Sequence, residues 1–108
     1  MGTKTDVKLL KPFIRAVKKE FAPAQIILYG SRAKGTAHKD SDYDIIVISP
    51  AFKHMNFLDR GAKLYYMKRN VRAAMDIIGY TPEEFKKQSK KITLIREIAQ
   101  TGKDITDL

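Results

Sequence analysis

Val7, Leu10, Ile14, Val17 and Phe21 recur at alternating intervals of three and four, the spacing of one apolar helix face. Pro12 falls inside that pattern, so the helix either starts near it or kinks there, and Pro23 stops it. Gln25 to Tyr29 is a short apolar run of strand formers ended by Gly30. Residues 31–41 are polar and contain Gly35, which predicts a turn or a short helix. From about Asp42 to Ser49 a second strand is expected, with Ile45, Ile46, Val47 and Ile48 hydrophobic in succession and Pro50 closing the run. A strand apolar on both faces belongs in the middle of a sheet.

Residues 51–56 read as a loop. Asn56 caps a predicted helix over about 57–69, with Leu58, Ala62, Tyr65 and Arg69 on one stripe and Phe57, Gly61 and Leu64 beside it. Phe57, Leu64, Tyr65 and Met67 are accordingly expected in the core or at an interface. Residues 73–78 form a third apolar segment, interrupted by Asp76. Thr81, Pro82 and Glu84 then supply an N-cap, a first-turn proline and a glutamate three residues after the cap, which predicts a helix over about 82–90. A last helix over about 92–100 ends at Gly102, leaving 103–106 as a tail or edge strand. The order helix, strand, turn, strand, helix, strand, helix, helix predicts an α/β (α+β) fold, a small mixed sheet flanked by helices.

Composition narrows the class. At 108 residues, with 44% hydrophobic and 31% charged positions, the expectation is one soluble globular domain with one core. No apolar run approaches the ~20 residues needed to span a bilayer. Residues 1–10 lack the apolar region and cleavage site of a secretion signal, so a cytoplasmic protein is expected. The absence of cysteine excludes disulfides and a thiolate zinc site. A core this small is compatible with a homo-oligomer or an obligate partner.

The formal net charge is +9. It implies either an anionic partner or simply a lysine-rich surface, since 15 of the 21 basic residues are lysine. The basic residues gather at Lys86, Lys87, Lys90 and Lys91 and at Lys63, Lys68, Arg69 and Arg72.

Asp42 and Asp44 carry the chemistry. Strand side chains alternate faces, so the two carboxylates point to one side, roughly 7 Å apart along the chain. Like charges so placed repel unless a cation or shared proton relieves them, and an oxygen-only set suits magnesium shared with phosphates. A solvated edge strand yields the same Asp-x-Asp pair, but the apolar continuation argues for a central strand. Asp76 is expected to be a buried carboxylate, which calls for a partner or a metal. If the third strand lies beside the second, Asp76 joins Asp42 and Asp44 on one face. Directly after the first strand, Gly30 lets backbone approach a phosphate, the Ser31 hydroxyl can donate to it, and Arg32 and Lys34 can neutralise charge ahead of Gly35. It is not a Walker loop, since the Gly-Lys-Ser/Thr ending is absent. Asp40, His38 and His54 are read as solvated turn or loop residues, and Tyr43 as packing.

Gly30-Ser31, ten intervening residues and Asp42-Tyr43-Asp44 together resemble the G-S-x10-D-x-D signature of the DNA polymerase beta-type nucleotidyltransferase superfamily. The segment from Leu28 to Ser49 resembles more closely the minimal nucleotidyltransferase (MNT) proteins, and the resemblance extends over about residues 7–105. It implies a single minimal nucleotidyltransferase domain over 1–108. It also implies that Asp42 and Asp44 hold two Mg2+ ions on a nucleoside triphosphate, ATP by default. Asp76 would then hold one ion and help the attacking hydroxyl lose its proton, while Gly30 and Ser31 anchor phosphates. Many MNT proteins are antitoxins paired with an HEPN-type toxin ribonuclease, and the resemblance implies adenylylation (AMPylation) of such a partner. No separate acceptor-binding domain fits in 108 residues, which favours a protein that brings the acceptor itself. Two other functions remain open from the sequence: a non-catalytic antitoxin or partner-binding module, and a basic RNA-binding domain. Loss of Mg–ATP binding on substitution of the aspartates separates the first reading from both. RNA affinity that falls steeply with salt marks the third.

Overall fold

In the computed structural model, residues 7–38, 41–91 and 93–108 are described. A 3-10 turn over Val7–Leu10 leads into α1 (Lys11–Phe21), whose first turn contains Pro12. The proline therefore starts the helix rather than kinking it, because its missing N–H costs nothing in the first turn. There follow β1 (Gln25–Tyr29), a single turn of helix α2 (Ser31–Lys34) and β2 (Tyr43–Ile48). The stretch expected as loop holds a 3-10 turn over Pro50–His54, capped by the Ser49 hydroxyl, which accepts from Ala51 N–H at 3.1 Å. After it come α3 (Phe57–Met67), β3 (Met75–Tyr80), α4 (Pro82–Lys91), α5 (Thr93–Thr101) and a short β4 (Lys103–Asp104).

The four strands form one mixed sheet in the order β3-β2-β1-β4. β2 runs antiparallel to β1 and parallel to β3, with α3 making the crossover between them. The all-apolar β2 is thus central, as its pattern predicts, and the 103–106 tail does supply an edge strand.

The two sheet faces are covered unequally. On one, Ile26, Leu28, Ile45, Val47 and Ile77 pack against Phe13, Ile14 and Val17 of α1, Phe52, and Leu64 of α3. On the other, Ile27, Ile46 and Ile48 meet, among the described residues, Ile95 and Ile98 of α5, with Phe85 of α4, Tyr29, Ile78 and Tyr80 at the margin. Burial of apolar area at roughly 25 cal/mol per Å² makes the first face the main source of stability. Among the described residues, the second leaves one end of the sheet open.

α3 buries a different face from the one its apolar stripe predicts. Arg60 and Leu64 are its buried residues, whereas Leu58 is 81% exposed, Phe57 58% and Tyr65 44%. Arg60 wins the inward position because its guanidinium has acceptors for every direction. It donates to Met55 O at 2.9 Å, Phe52 O at 2.7 Å and Gly79 O at 3.2 Å, and pairs with both oxygens of Glu84 at 2.6 and 3.1 Å. Glu84 is also the expected capping glutamate: it accepts from Thr81 N–H at 2.8 Å while Thr81 Oγ1 accepts from Glu84 N–H at 3.1 Å. One ion pair therefore ties α3, the free edge of β3 and the start of α4 together. The Arg60 guanidinium holds the Glu84 carboxyl below its usual range.

Candidate active site

The register of the sheet assembles the carboxylates. Asp44 pairs with Asp76 across the parallel β2–β3 ladder and with Tyr29 across the antiparallel β1–β2 ladder. Residues directly opposite on neighbouring strands point to the same face, so Tyr29, Asp44 and Asp76 form one row. The row lies on the less covered face, beyond the row of Ile27, Ile46 and Ile78. Asp42, two residues before Asp44, reaches the same side from just ahead of β2.

Asp76 is exposed rather than buried, which corrects the expectation from its apolar neighbours. β3 is an edge strand whose residues 75, 77 and 79 face the core, and Asp76 alternates outward to the open face. What singles Asp76 out is its register with Asp44, not desolvation. Asp44 itself is half-buried, and its carboxyl is pushed above the usual aspartate range by burial, then by the charges of Asp76 and Asp42. Asp44 thus lies in the field of two further carboxylates, which disfavours its own charged form.

Gly30 closes the site from the β1 side. It has φ +73° and ψ −156°, a conformation open essentially to glycine alone, and a Cβ there would fall on Asp44 Oδ2. The glycine is required twice over, for the turn into α2 and for room beside the carboxylate. Gly35, at φ +77°, ends α2 with its N–H donating to Ser31 O. Ser31 opens that turn directly behind Gly30, where the first N–H groups of a helix have no partner within it.

The remaining residues singled out in the loop have partners of their own. Arg32 donates from Nε and Nη2 to Ser41 O at 3.2 and 2.9 Å, and its guanidinium stacks 4.4 Å from the centre of the Tyr43 ring. It thereby fastens the segment just before Asp42 onto α2. Lys34 pairs with Glu97 of α5 at 3.7 Å, both groups well exposed, a contact worth little energetically. His38 and His54 are exposed, and Ser41 Oγ accepts from His38 N–H at 2.8 Å. Tyr43 is buried in the main core, and Asp40 lies outside the described residues.

Tyr29 joins the carboxylate row without being flagged by the sequence, because tyrosine in a strand reads as packing. Only the alternation from Ile27 to Tyr29, set against the Asp42-x-Asp44 pair, would have placed it on the carboxylate face. Burial first, then Asp44 and Asp76, push its hydroxyl up to about 12, so it stays protonated and is available as a donor.

Among the described residues, no group of three or more His, Asp or Glu converges tightly enough to form a cation cage by itself. The donor set is nonetheless of the right kind for magnesium: hard carboxylate oxygens on one face, beside a glycine turn that a phosphate can approach. Such an ion takes its other ligands from water and phosphate rather than from an all-protein cage.

Residues 10–100 match the family model described as nucleotidyltransferase domain. No curated protein matches the chain. Among solved structures, a Sulfolobus solfataricus protein, provisionally described as a nucleotidyltransferase and solved at 1.40 Å, is 31% identical. The match covers 75% of this chain and 71% of that one, with a TM-score of 0.58. A toxin–antitoxin structure with AMP-PNP is similar in fold at 21% identity and a TM-score of 0.52, over 96% of this chain and 72% of that chain. BolA1 from Arabidopsis thaliana shares the fold at 20% identity and a TM-score of 0.56, covering 70% of this chain and 94% of its own.

Proposed function

The chain belongs to the nucleotidyltransferase domain family, and on that premise we propose that it transfers a nucleoside monophosphate, AMP from Mg–ATP, to a hydroxyl of a partner protein. The observation that carries this reading is the row formed by Asp44 and Asp76 in register on adjacent strands, closed by a Gly30 whose missing Cβ leaves room for Asp44's carboxylate. Two like charges held side by side on a sheet face are costly for the fold alone. They are useful where a cationic metal–triphosphate complex neutralises them.

In this reading Asp42 and Asp44 hold the Mg2+ ions, and Asp76 shares one of them. Held there, Mg2+ would supply charge neutralisation for the triphosphate and for the attacking and leaving oxygens. Gly30 and Ser31 hold phosphate through backbone N–H groups and the serine hydroxyl. The acceptor hydroxyl attacks the α-phosphorus while the bond to the bridging oxygen breaks, pyrophosphate leaves, and Asp76 receives the hydroxyl proton. Arg32 is assigned here to positioning, since its contacts hold Ser41 and thus the approach to Asp42. Lys34 and Gly35 complete the phosphate loop in the same scheme.

The acceptor to test first is a toxin, by similarity of fold to the toxin–antitoxin structure with AMP-PNP. A tyrosine of an HEPN-type ribonuclease is the specific form that the MNT resemblance implies. The deciding experiment incubates the protein with α-labelled ATP, Mg2+ and the product of the neighbouring gene. Label should pass to that protein, and Asp42→Asn with Asp44→Asn should lower the transfer about a thousandfold, some 4 kcal/mol of transition-state stabilisation. No transfer from any nucleotide, with partner binding untouched by those substitutions, would establish instead a non-catalytic binding module.

A further inference from the structure

The outward arc of α3 is apolar and largely exposed among the described residues. Phe57 and Leu58 lie at its start, Gly61 and Ala62 one turn on, and Tyr65 and Tyr66 one turn further, so three pairs at intervals of four share one side of the helix. Leu58 is 81% exposed, Tyr66 65% and Phe57 58%. The opposite side already has its partners, with Arg60 and Leu64 buried. Between the two aromatic ends, a Cβ at Gly61 would meet nothing within 4 Å, so a second helix has room to approach the backbone there.

This arc runs into a groove of about 540 Å3 between α1 and α3, which includes Ala16, Tyr66 and Met67 among its lining residues. Its rim carries Lys19, Lys63 and Arg69 against a single acid, Glu20, which pairs with Lys63 at 3.4 Å. Arg69 lies over the Tyr66 ring at 4.0 Å from its centre, leaving a cation at the groove end. At the other side the arc borders the carboxylate site. Phe57 meets Tyr80 edge-on at 5.9 Å, and Tyr65 Oη accepts from the N–H of Ile77, the residue after Asp76, at 3.1 Å.

We infer that the α3 arc and the α1–α3 groove dock a partner protein through an amphipathic helix with an apolar face and acidic flanks. Charge selects this occupant. A second copy of the chain would bring a +9 molecule with the same basic rim against itself, whereas an acidic flank complements Lys19, Lys63 and Arg69. An apolar helix face fits a groove of this kind through anchors one turn apart. A partner seated there lies beside the β3 edge that carries Asp76. Its role as acceptor rests on the nucleotidyl-transfer reading, but the docking itself does not.

The probe is a fluorescent amphipathic peptide of about 18 residues, with leucine and phenylalanine on one face and glutamates on its flanks. A control carries lysines in place of the glutamates. The acidic peptide should bind the full chain at least roughly tenfold more tightly than the control, with the difference shrinking as salt rises. Leu58→Gln with Tyr66→Gln should abolish that binding with the melting temperature unchanged, because both side chains are exposed. Asp42→Asn should leave it intact. Failure of the acidic peptide to bind, equal binding of the basic peptide, or indifference to the double substitution overturns the inference. So does a dimer in sedimentation that the double substitution dissolves, or displacement of the peptide by a single-stranded RNA of similar length. Docking of the acidic peptide without any Mg–ATP binding would instead overturn the nucleotidyl-transfer reading and leave this surface standing.

Discussion

Asp44 is held where its charge is least welcome, between a partly apolar sheet face and two other carboxylates. Its carboxyl lies above the usual aspartate range, so the folded chain grips that proton more tightly than the unfolded chain does. The resulting contribution is fully present below the unfolded value and is lost as pH rises through the folded one. Asp44→Asn should therefore raise the melting temperature of the nucleotide-free protein at neutral pH, by about a few degrees, while removing transfer activity. Urea unfolding at low ionic strength checks this, and an unchanged or lowered stability contradicts it. Glu84 works in the opposite sense. Its carboxyl is held low by Arg60, so its contribution is present above the unfolded value and disappears as pH falls through the folded one. Glu84→Gln should remove that acid-side loss and cost about 1–2 kcal/mol at neutral pH. Gly30→Ala should cost about 1–3 kcal/mol from its φ of +73° and also displace Asp44, so calorimetry should find nucleotide binding weakened along with the fold.

At the scale of elements, the Arg60–Glu84 pair is the joint on which α3, β3 and α4 meet. Arg60→Ala leaves three carbonyl oxygens without their buried donor and should destabilise the fold by about 3–5 kcal/mol, read as a shift in the denaturant midpoint. An effect under about 1 kcal/mol would show the joint to be dispensable. This joint was not legible in the sequence, and the reason is physical. Periodicity ranks side chains by hydrophobicity, so it turned Leu58 inward and ignored an arginine whose buried acceptors come from residues 52, 55, 79 and 84. The strands and caps were legible because their causes are local. The unbroken run Ile45–Ile48 sits at the centre of the sheet, and Thr81 and Glu84 cap each other as their spacing requires. The candidate site falls between these cases. Gly30 and the Asp42-x-Asp44 spacing are local facts. That Asp76 pairs with Asp44, and that Tyr29 completes the row, depends on strand register, which no short segment specifies. Asp76 drew attention for burial it does not have and owes its place to that pairing instead.

Over the whole molecule, an open, acidic sheet end is set within a chain of net charge +9. On the proposed reading, that distribution would draw a polyanionic nucleotide toward the carboxylate row. The radius of gyration, 13.3 Å, is that of a compact chain of this length, and no helix among the described residues is long and apolar enough to cross a membrane. The proposed function stands or falls with a metal–nucleotide site formed by Asp42, Asp44 and Asp76. Titration calorimetry with Mg2+ and a non-hydrolysable ATP analogue tests it most directly. The wild type should bind one nucleotide per chain only when Mg2+ is present, and Asp42→Asn with Asp44→Asn should weaken that binding by at least about a hundredfold, some 2.7 kcal/mol. Binding that persists without the metal, or that survives the double substitution, would contradict the assignment.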